Sequence, residues 1–438
     1  MINYNLKSSV LAACALALAG LSPAAAGTYS VIYNMSQYSS PGALVEGSPG
    51  VFYTNVDPPP GIVSVTKQGV LTALATFQDP PYVIETGLVT AANGLLYAGL
   101  RYTTPQAYVG EVFSVSSAAG SGHIYAQQSL IPGGSIGNLP DAQLFGLATF
   151  QATSLARISL NGTVTPFYQF PLNDHPGPPL YHADGNYYGT STHQAAPQLA
   201  YFYRVTPSGA FTKIATLPFS GVALAGGTGV LVQATDGNYY GIQPQSAGCA
   251  PANQHGAVYK LTRSGQFTNL HDFGPCETVN SLIEGSDGRL WGTTQASNVL
   301  FSLTWSGTYK AEFQMTGFNG QCPCFLLQGS DGIIYGAAMA GGSTGNGAIF
   351  ALDAGLPIPK PQAGVFSPSS GAVGTRVRIW GNSLFGASVE FNGVPAPGAA
   401  NSGPNYVWVD VPAGATTGPI TVTTPGGTVT TRGNFTVK

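Results

Sequence analysis

Charge is what this sequence has least of. Lys and Arg number 15 and Asp and Glu 18 in 438 residues, so charged side chains make up only 8%. A nucleic-acid partner needs clustered Lys and Arg to neutralise phosphates, and no such cluster is present, which excludes that class. Cys is scarce at five and Met at four. Beyond residue 26 no apolar run approaches the roughly 20 residues that a membrane helix requires. No Gly-x-Ser-x-Gly elbow, Walker loop or His-Glu-x-x-His occurs, so the chemistries those motifs carry have no signature here. The glycine-rich stretch 341–347 lacks a Lys and a following helix pattern, which argues against phosphate binding.

Glycine is abundant at 59 and proline at 33, and both are costly inside helices. A 44% hydrophobic content with 22 Tyr and 21 Phe supplies ample core, so disorder is excluded as well. Short strands joined by tight turns satisfy both facts.

The N-terminus has the layout of a secretory leader. Lys7 is the only charge in the first 45 residues, the apolar run Val10 to Leu21 follows, and Ser22-Pro23-Ala24-Ala25-Ala26 offers a small-residue cleavage site. Residues 1–26 are therefore expected to be a signal peptide, with the mature chain secreted or held at the cell surface. Leu11-Ala12-Ala13-Cys14 is a rival, because it has the form of a bacterial lipobox that would anchor Cys14 to lipid. If Cys14 leaves with the leader, Cys249, Cys276, Cys322 and Cys324 remain. An even number in an exported chain points to disulfides, in any of three pairings. Cys322-Pro323-Cys324 is too tight for a Cys-x-x-Cys zinc pair.

Internal repetition is the strongest feature. Leu282-Ile283-Glu284-Gly285-Ser286-Asp287-Gly288-Arg289-Leu290-Trp291-Gly292 returns as Leu326-Leu327-Gln328-Gly329-Ser330-Asp331-Gly332-Ile333-Ile334-Tyr335-Gly336. Asp236-Gly237-Asn238-Tyr239-Tyr240 and Asp184-Gly185-Asn186-Tyr187-Tyr188 repeat the theme. Weaker copies turn at positions 50, 94 and 142, giving a mean spacing of about 47 residues. A second turn follows in each unit, as in Thr262 to Gly265 and Thr304 to Gly307. Asp-Gly suits the positive φ of a tight hairpin, so each unit reads as four antiparallel strands, A to D. Four strands per repeat is the mark of a propeller blade.

Seven units predict a seven-bladed β-propeller over residues 27–356. The last unit lacks a strand D, and Gly27 to Met35 parallels Gly307 to Met315, so the mature N-terminus is expected to fill that place. The repeat, from Leu-x-x-Gly-Ser-Asp-Gly-x-x-Tyr-Gly to Gly-x-Val-Phe-x-Leu-Thr-x-x-Gly, resembles the GloVer-type tandem-repeat proteins, exported bacterial proteins with propeller-like repeats. That resemblance carries no agreed activity.

Residues 357–361 read as a proline-rich linker. Beyond it the strands alternate, as in Val377 and Ile379 or Val389 and Phe391, which predicts a small β-sandwich. Residues 362–438 resemble the IPT/TIG immunoglobulin-like domain. The resemblance implies a spacer or adhesive module in an exported chain.

Candidate chemistry is sparse. Asp184, Asp236, Asp287 and Asp331 sit at the repeated turn, where Asp is ordinary turn chemistry. Four residues before the turn glycine, strand A carries Glu46, Thr90, Tyr181, Gln233, Glu284 and Gln328. On the innermost strand these would line the central channel. Glu46, Tyr181, Gln233, Glu284 and Gln328 are candidate ligand-binding residues. Glu46 and Glu284 are also a candidate acid/base pair, whose role would turn on their separation. The plainer reading is hydrogen bonding from blade to blade. His123, His175, His182, His193, His255 and His271 are scattered. No cofactor and no metal are expected. The function expected is non-catalytic binding of an extracellular glycan or protein, or a scaffold at the cell surface. The alternative is an extracellular polysaccharide hydrolase or lyase using the channel carboxylates.

Overall fold

The computed structural model describes residues 27–36, 40–77, 82–84, 87–91, 93–103, 108–116, 122–124, 131–139, 143–150, 152–193, 199–219, 231–243, 256–274, 277–397 and 401–438. Residues 1–26, Asp141, Cys249, His255 and Cys276 lie outside the described residues. Among the described residues every regular element is a strand, and no helix is long and apolar enough to cross a membrane.

Up to Asp353 the described strands form seven antiparallel sheets, taken here in chain order. The sixth is the most regular. Its strands A to D are Val279–Glu284, Leu290–Thr294, Val299–Leu303 and Tyr309–Gln314. Strands B and C are buried at every position, whereas strand D has exposed residues. Apolar runs without alternation suit strands covered on both faces. The seventh sheet takes strands from both ends of this region. Gln321–Gln328, Ile334–Ala340 and Ala348–Asp353 supply three strands. Thr28–Asn34 pairs antiparallel with the last of these, from Thr28 opposite Asp353 to Asn34 opposite Ala348.

The sheets pack in a closed cycle. Tyr53 and Ile62 of the first meet Leu96 and Phe113 of the second. Equivalent clusters join each following pair. Tyr335 and Ile349 of the seventh then pack on Phe52 and Val63 of the first. Each junction between neighbouring sheets thus has its own apolar cluster, and the seven clusters run around the cycle.

The local chemistry of the repeat is visible in the seventh sheet. Gly332 has φ +89°, a region that L side chains rarely adopt, and its N–H closes the turn on Gly329 O at 3.0 Å. Four residues on, Gly336 lies opposite Phe350, and a Cβ there would sit 2.2 Å from the Phe350 ring. The glycine makes room for the aromatic side chain on strand C. The pairs Gly189 with Tyr203, Gly241 with Tyr259 and Gly292 with Phe301 repeat this arrangement.

Residues 362–437 form two further sheets. One holds Gln362–Ser367, Arg376–Asn382, Tyr406–Asp410 and Asn401–Ser402, and the other is built on Gly418–Thr424 and Gly427–Val437. Between them lies a core that includes Val377, Ile379, Val389, Phe391, Val407, Ile420 and Phe435. The preceding segment rests on the A–B turn of the sixth sheet and the end of strand A of the seventh. Ser286 Oγ donates to Pro357 O, and Gln328 Nε2 lies 3.4 Å from the same carbonyl.

Candidate functional site

Strand A positions the polar residues that the repeat singles out, and three of them do the same thing. Glu46 is buried on the first sheet, yet its carboxylate reaches the seventh. Ser330 N–H donates to Oε2 at 2.8 Å and Ser330 Oγ–H to Oε1 at 2.9 Å, while Gly50 N–H donates to Oε1 at 2.8 Å within its own turn. Glu284 of the sixth sheet reaches back to the fifth. Thr235 N–H lies 3.0 Å from both carboxylate oxygens, and its hydroxyl donates to Oε1 at 2.5 Å. Gln328 of the seventh reaches the sixth, accepting from Ser286 N–H at 2.9 Å and donating to Ser286 Oγ at 2.7 Å. Each side chain therefore binds the A–B turn of the preceding sheet around the cycle.

A fourth residue in this series, Asn138, sits four residues before position 142. Its Nδ2 donates to Thr90 O of the second sheet at 3.0 Å. Its turn lacks the glycine that marks the other copies, so only the spacing could have revealed it. Tyr181 and Gln233 are partly buried on their strands. Tyr181 belongs to an aromatic cluster with Phe145 and Tyr187 at the seam of the third and fourth sheets.

Burial sets the electrostatics of Glu46. Desolvation raises its carboxyl above the usual range, against the lowering effect of the Gly50 and Ser330 hydrogen bonds, and the Asp331 charge raises it further. Asp184 and Asp236, at the repeated turn, are shifted the other way. Burial also penalises the Asp184 charge, but hydrogen bonds from Asn186, Tyr188 and His182 outweigh it and hold the carboxyl well below its usual range. Each turn Asp binds its own strand B. Tyr188, Tyr240 and Tyr335 hydroxyls donate to Asp184, Asp236 and Asp331 at 2.8–2.9 Å, and the Trp291 indole donates to Asp287 at 3.2 Å. Lys67 reaches Asp331 at 3.7 Å, and Arg263 pairs with Asp184, so cations on C–D turns bind aspartates of the preceding sheet.

The other candidates are dispersed. Among the described residues no disulfide is formed, and Cys322 and Cys324 are not joined to each other. They flank Pro323 on one strand, which places them too close in sequence for an unstrained bridge. Among the described residues no cluster of three His, Cys, Asp or Glu could hold a metal ion. His271 stacks on Tyr309 at 4.7 Å. His182 Nδ1 lies 2.9 Å from Asp184 Oδ1.

His193 is different, and neither it nor its partners stand out as a group in the sequence. Its Nδ1 lies 2.5 Å from Oδ1 of buried Asp174, and Tyr201 Oη–H donates to the other carboxylate oxygen at 2.5 Å. Strand pairing places Asp174 directly opposite His193, although 19 positions separate them.

Comparison with known proteins gives the fold a context. Residues 175–364 match the Gloeobacter/Verrucomicrobia repeat family. No curated protein matches the chain in sequence. Among solved structures, the chain is similar to a streptogramin B lyase at 14% identity and a TM-score of 0.55, covering 76% of this chain and 98% of that one. It is similar to virginiamycin B lyase from Staphylococcus aureus at 16% identity and a TM-score of 0.54, covering 74% and 98%. A third likeness is to the extracellular domain of a hybrid two-component system from B. thetaiotaomicron, at 14% identity and a TM-score of 0.50, covering 81% and 45%. At such identities the likeness is one of fold. The described residues form an all-β, propeller-like fold, part of which matches the Gloeobacter/Verrucomicrobia repeat.

Proposed function

We propose that this chain is an exported, non-catalytic binding or cell-surface scaffold protein that recognises a glycan or a protein. In this reading residues 1–26 are a secretory leader, residues 27–356 a seven-bladed β-propeller and residues 362–438 an IPT/TIG immunoglobulin-like spacer or adhesive module. One observation carries the reading. Glu46 and Glu284, the carboxylates that catalysis in the channel would need, each bind one residue of a neighbouring sheet, Ser330 and Thr235, through both oxygens. A carboxylate used this way holds the ring together and is poorly placed to accept or deliver a proton during a reaction. Ligand capture then falls to surfaces away from these contacts, such as the rim built from B–C and D–A loops.

The test is a glycan, cell-wall and protein binding screen of the purified chain, run beside polysaccharide degradation assays. The reading expects capture without cleavage. Polymer cleavage that disappears in Glu284→Gln would overturn it in favour of a hydrolase or lyase.

A further inference from the structure

One face of the fourth sheet carries a polar row that crosses all four strands. Asp174 stands on strand A, His193 at the end of strand B, Tyr201 near the start of strand C and Lys213 on strand D. Asp174 is the anchor, its side chain only 5% exposed. Burying a carboxylate costs stability unless hydrogen bonds satisfy it, and here its two oxygens hold His193 and Tyr201. Simple packing does not call for such an arrangement, because His193 is itself 37% exposed and would be solvated without Asp174. The effect of the contact is to fix the ring. With Nδ1–H on Asp174, the neutral imidazole carries its lone pair on Nε2, at the opposite edge of the ring.

Lys213 completes the row. Its ammonium lies 5.3 Å from the centroid of the Tyr201 ring, whose hydroxyl is bound to the same carboxylate as His193. Among the described residues no carboxylate pairs with Lys213. Both oxygens of Asp174 are already hydrogen-bonded, and Lys213 is exposed on its strand, so its ammonium is open to a ligand. Apolar surface lies alongside. Leu172, 69% exposed, sits in the turn that leads into Asp174, and Tyr168 of the third sheet stacks on Phe211 at 5.0 Å.

We propose that this row binds a carboxylate-bearing saccharide unit, with Lys213 on the carboxylate, His193 Nε2 accepting from a ring hydroxyl, and Leu172 against the C–H face. An ammonium, an oriented acceptor and an apolar strip match the three surfaces of a uronate ring. The proposal rests on the glycan-binding reading above and gives it a place and a ligand class.

The test titrates the full chain with an oligogalacturonate, a neutral dextran and polyglutamate by calorimetry, and follows the His193 ring ¹⁵N signals. Oligogalacturonate is expected to bind and to shift the Nε2 signal. Lys213→Gln and His193→Ala should each weaken binding about tenfold, the scale of a hydrogen bond to a charged group; Lys213→Gln should melt unchanged, whereas His193→Ala should melt lower because Asp174 loses a donor. Asp174→Asn should also weaken binding, and it should alter the His193 Nδ1 signal in the unliganded chain. Oligogalacturonate binding that survives both Lys213→Gln and His193→Ala would overturn the site. So would binding of polyglutamate or dextran without oligogalacturonate, which leaves the broader binding reading standing. A chain that binds none of these and captures nothing in the wider screen would overturn both.

Discussion

Glu46 holds the backbone N–H and the hydroxyl of Ser330, a residue 284 positions away. This contact joins the first sheet to the seventh, and Gln328 makes its counterpart between the seventh and sixth. The same position thus carries a carboxylate in one sheet and an amide in another, for one structural task.

That equivalence yields a prediction with a sign. Glu46→Gln should fold and keep the contact to Ser330 N–H, with its amide donating to Ser330 Oγ as Gln328 does to Ser286, while losing the contact to Gly50 N–H. Burial holds the Glu46 carboxyl above its unfolded value, so the protonated form is favoured in the fold. Its contribution to stability is therefore complete in acid and is lost as pH rises through the raised value. The stability of Glu46→Gln relative to wild type should improve steadily from acid to neutral pH. Urea melts across that range check it, and a gap that does not move with pH contradicts it. Glu46→Ala, which removes the acceptor from Ser330 and Gly50, should lose about 1–3 kcal/mol.

Asp184 predicts the opposite slope. Its carboxyl is held low by hydrogen bonds from Asn186, Tyr188 and His182, which outweigh the cost of burial. Stability from such a group is present above the unfolded carboxylate value and is lost as pH falls. Asp184→Ala should therefore be less stable than wild type at neutral pH, by about 1 kcal/mol after allowance for solvent screening. The two should converge in acid. A gap that fails to close on acidification contradicts this account of the turn hydrogen bonds.

Gly336 tests the packing logic of the repeat. A Cβ at this position would lie 2.2 Å from the Phe350 ring and 2.7 Å from Phe325 O. Gly336→Ala should cost about 1–3 kcal/mol by overpacking. Gly336→Ala combined with Phe350→Leu should cost less than the sum of the two, because the ring causes the clash. Additive losses in denaturant melts would place the strain elsewhere.

These examples mark what was legible in the sequence. Turn and strand chemistry is local, so Asp331, Gly332 and Gly336 announce a hairpin from eleven consecutive residues. The polar position on strand A was legible from spacing, but its partner was not. Glu46 meets Ser330 through ring geometry that no local pattern encodes. Asn138 escaped notice because its turn has Ala142 where the others have glycine. Asp174, His193 and Tyr201 come together through strand register across three strands, and single residues of common types carry no periodic signal. The N-terminal strand was legible only through its likeness to Gly307 to Met315.

That strand supplies the last prediction. Tyr29 stacks on Phe313 of the sixth sheet with ring centroids 4.1 Å apart, and its hydroxyl donates to Asn319 O at 2.7 Å. Met35 and Phe52 lie in the cluster that joins the seventh sheet to the first. Without residues 27–36 the strand Ala348–Asp353 would present an unpaired edge, and the last two sheet junctions would lose apolar contacts. Removing these residues should lower the melting temperature and promote association through the open edge. Tyr29 is half-buried, so Tyr29→Ala should cost about 2–3 kcal/mol, less than a fully buried aromatic side chain. Tyr29→Phe, which keeps the stacking and loses one hydrogen bond, should cost about 1 kcal/mol. Calorimetric melting with light scattering on the three variants checks the order. A truncated chain that melts like the full one and stays monodisperse would show that the ring closes without this strand.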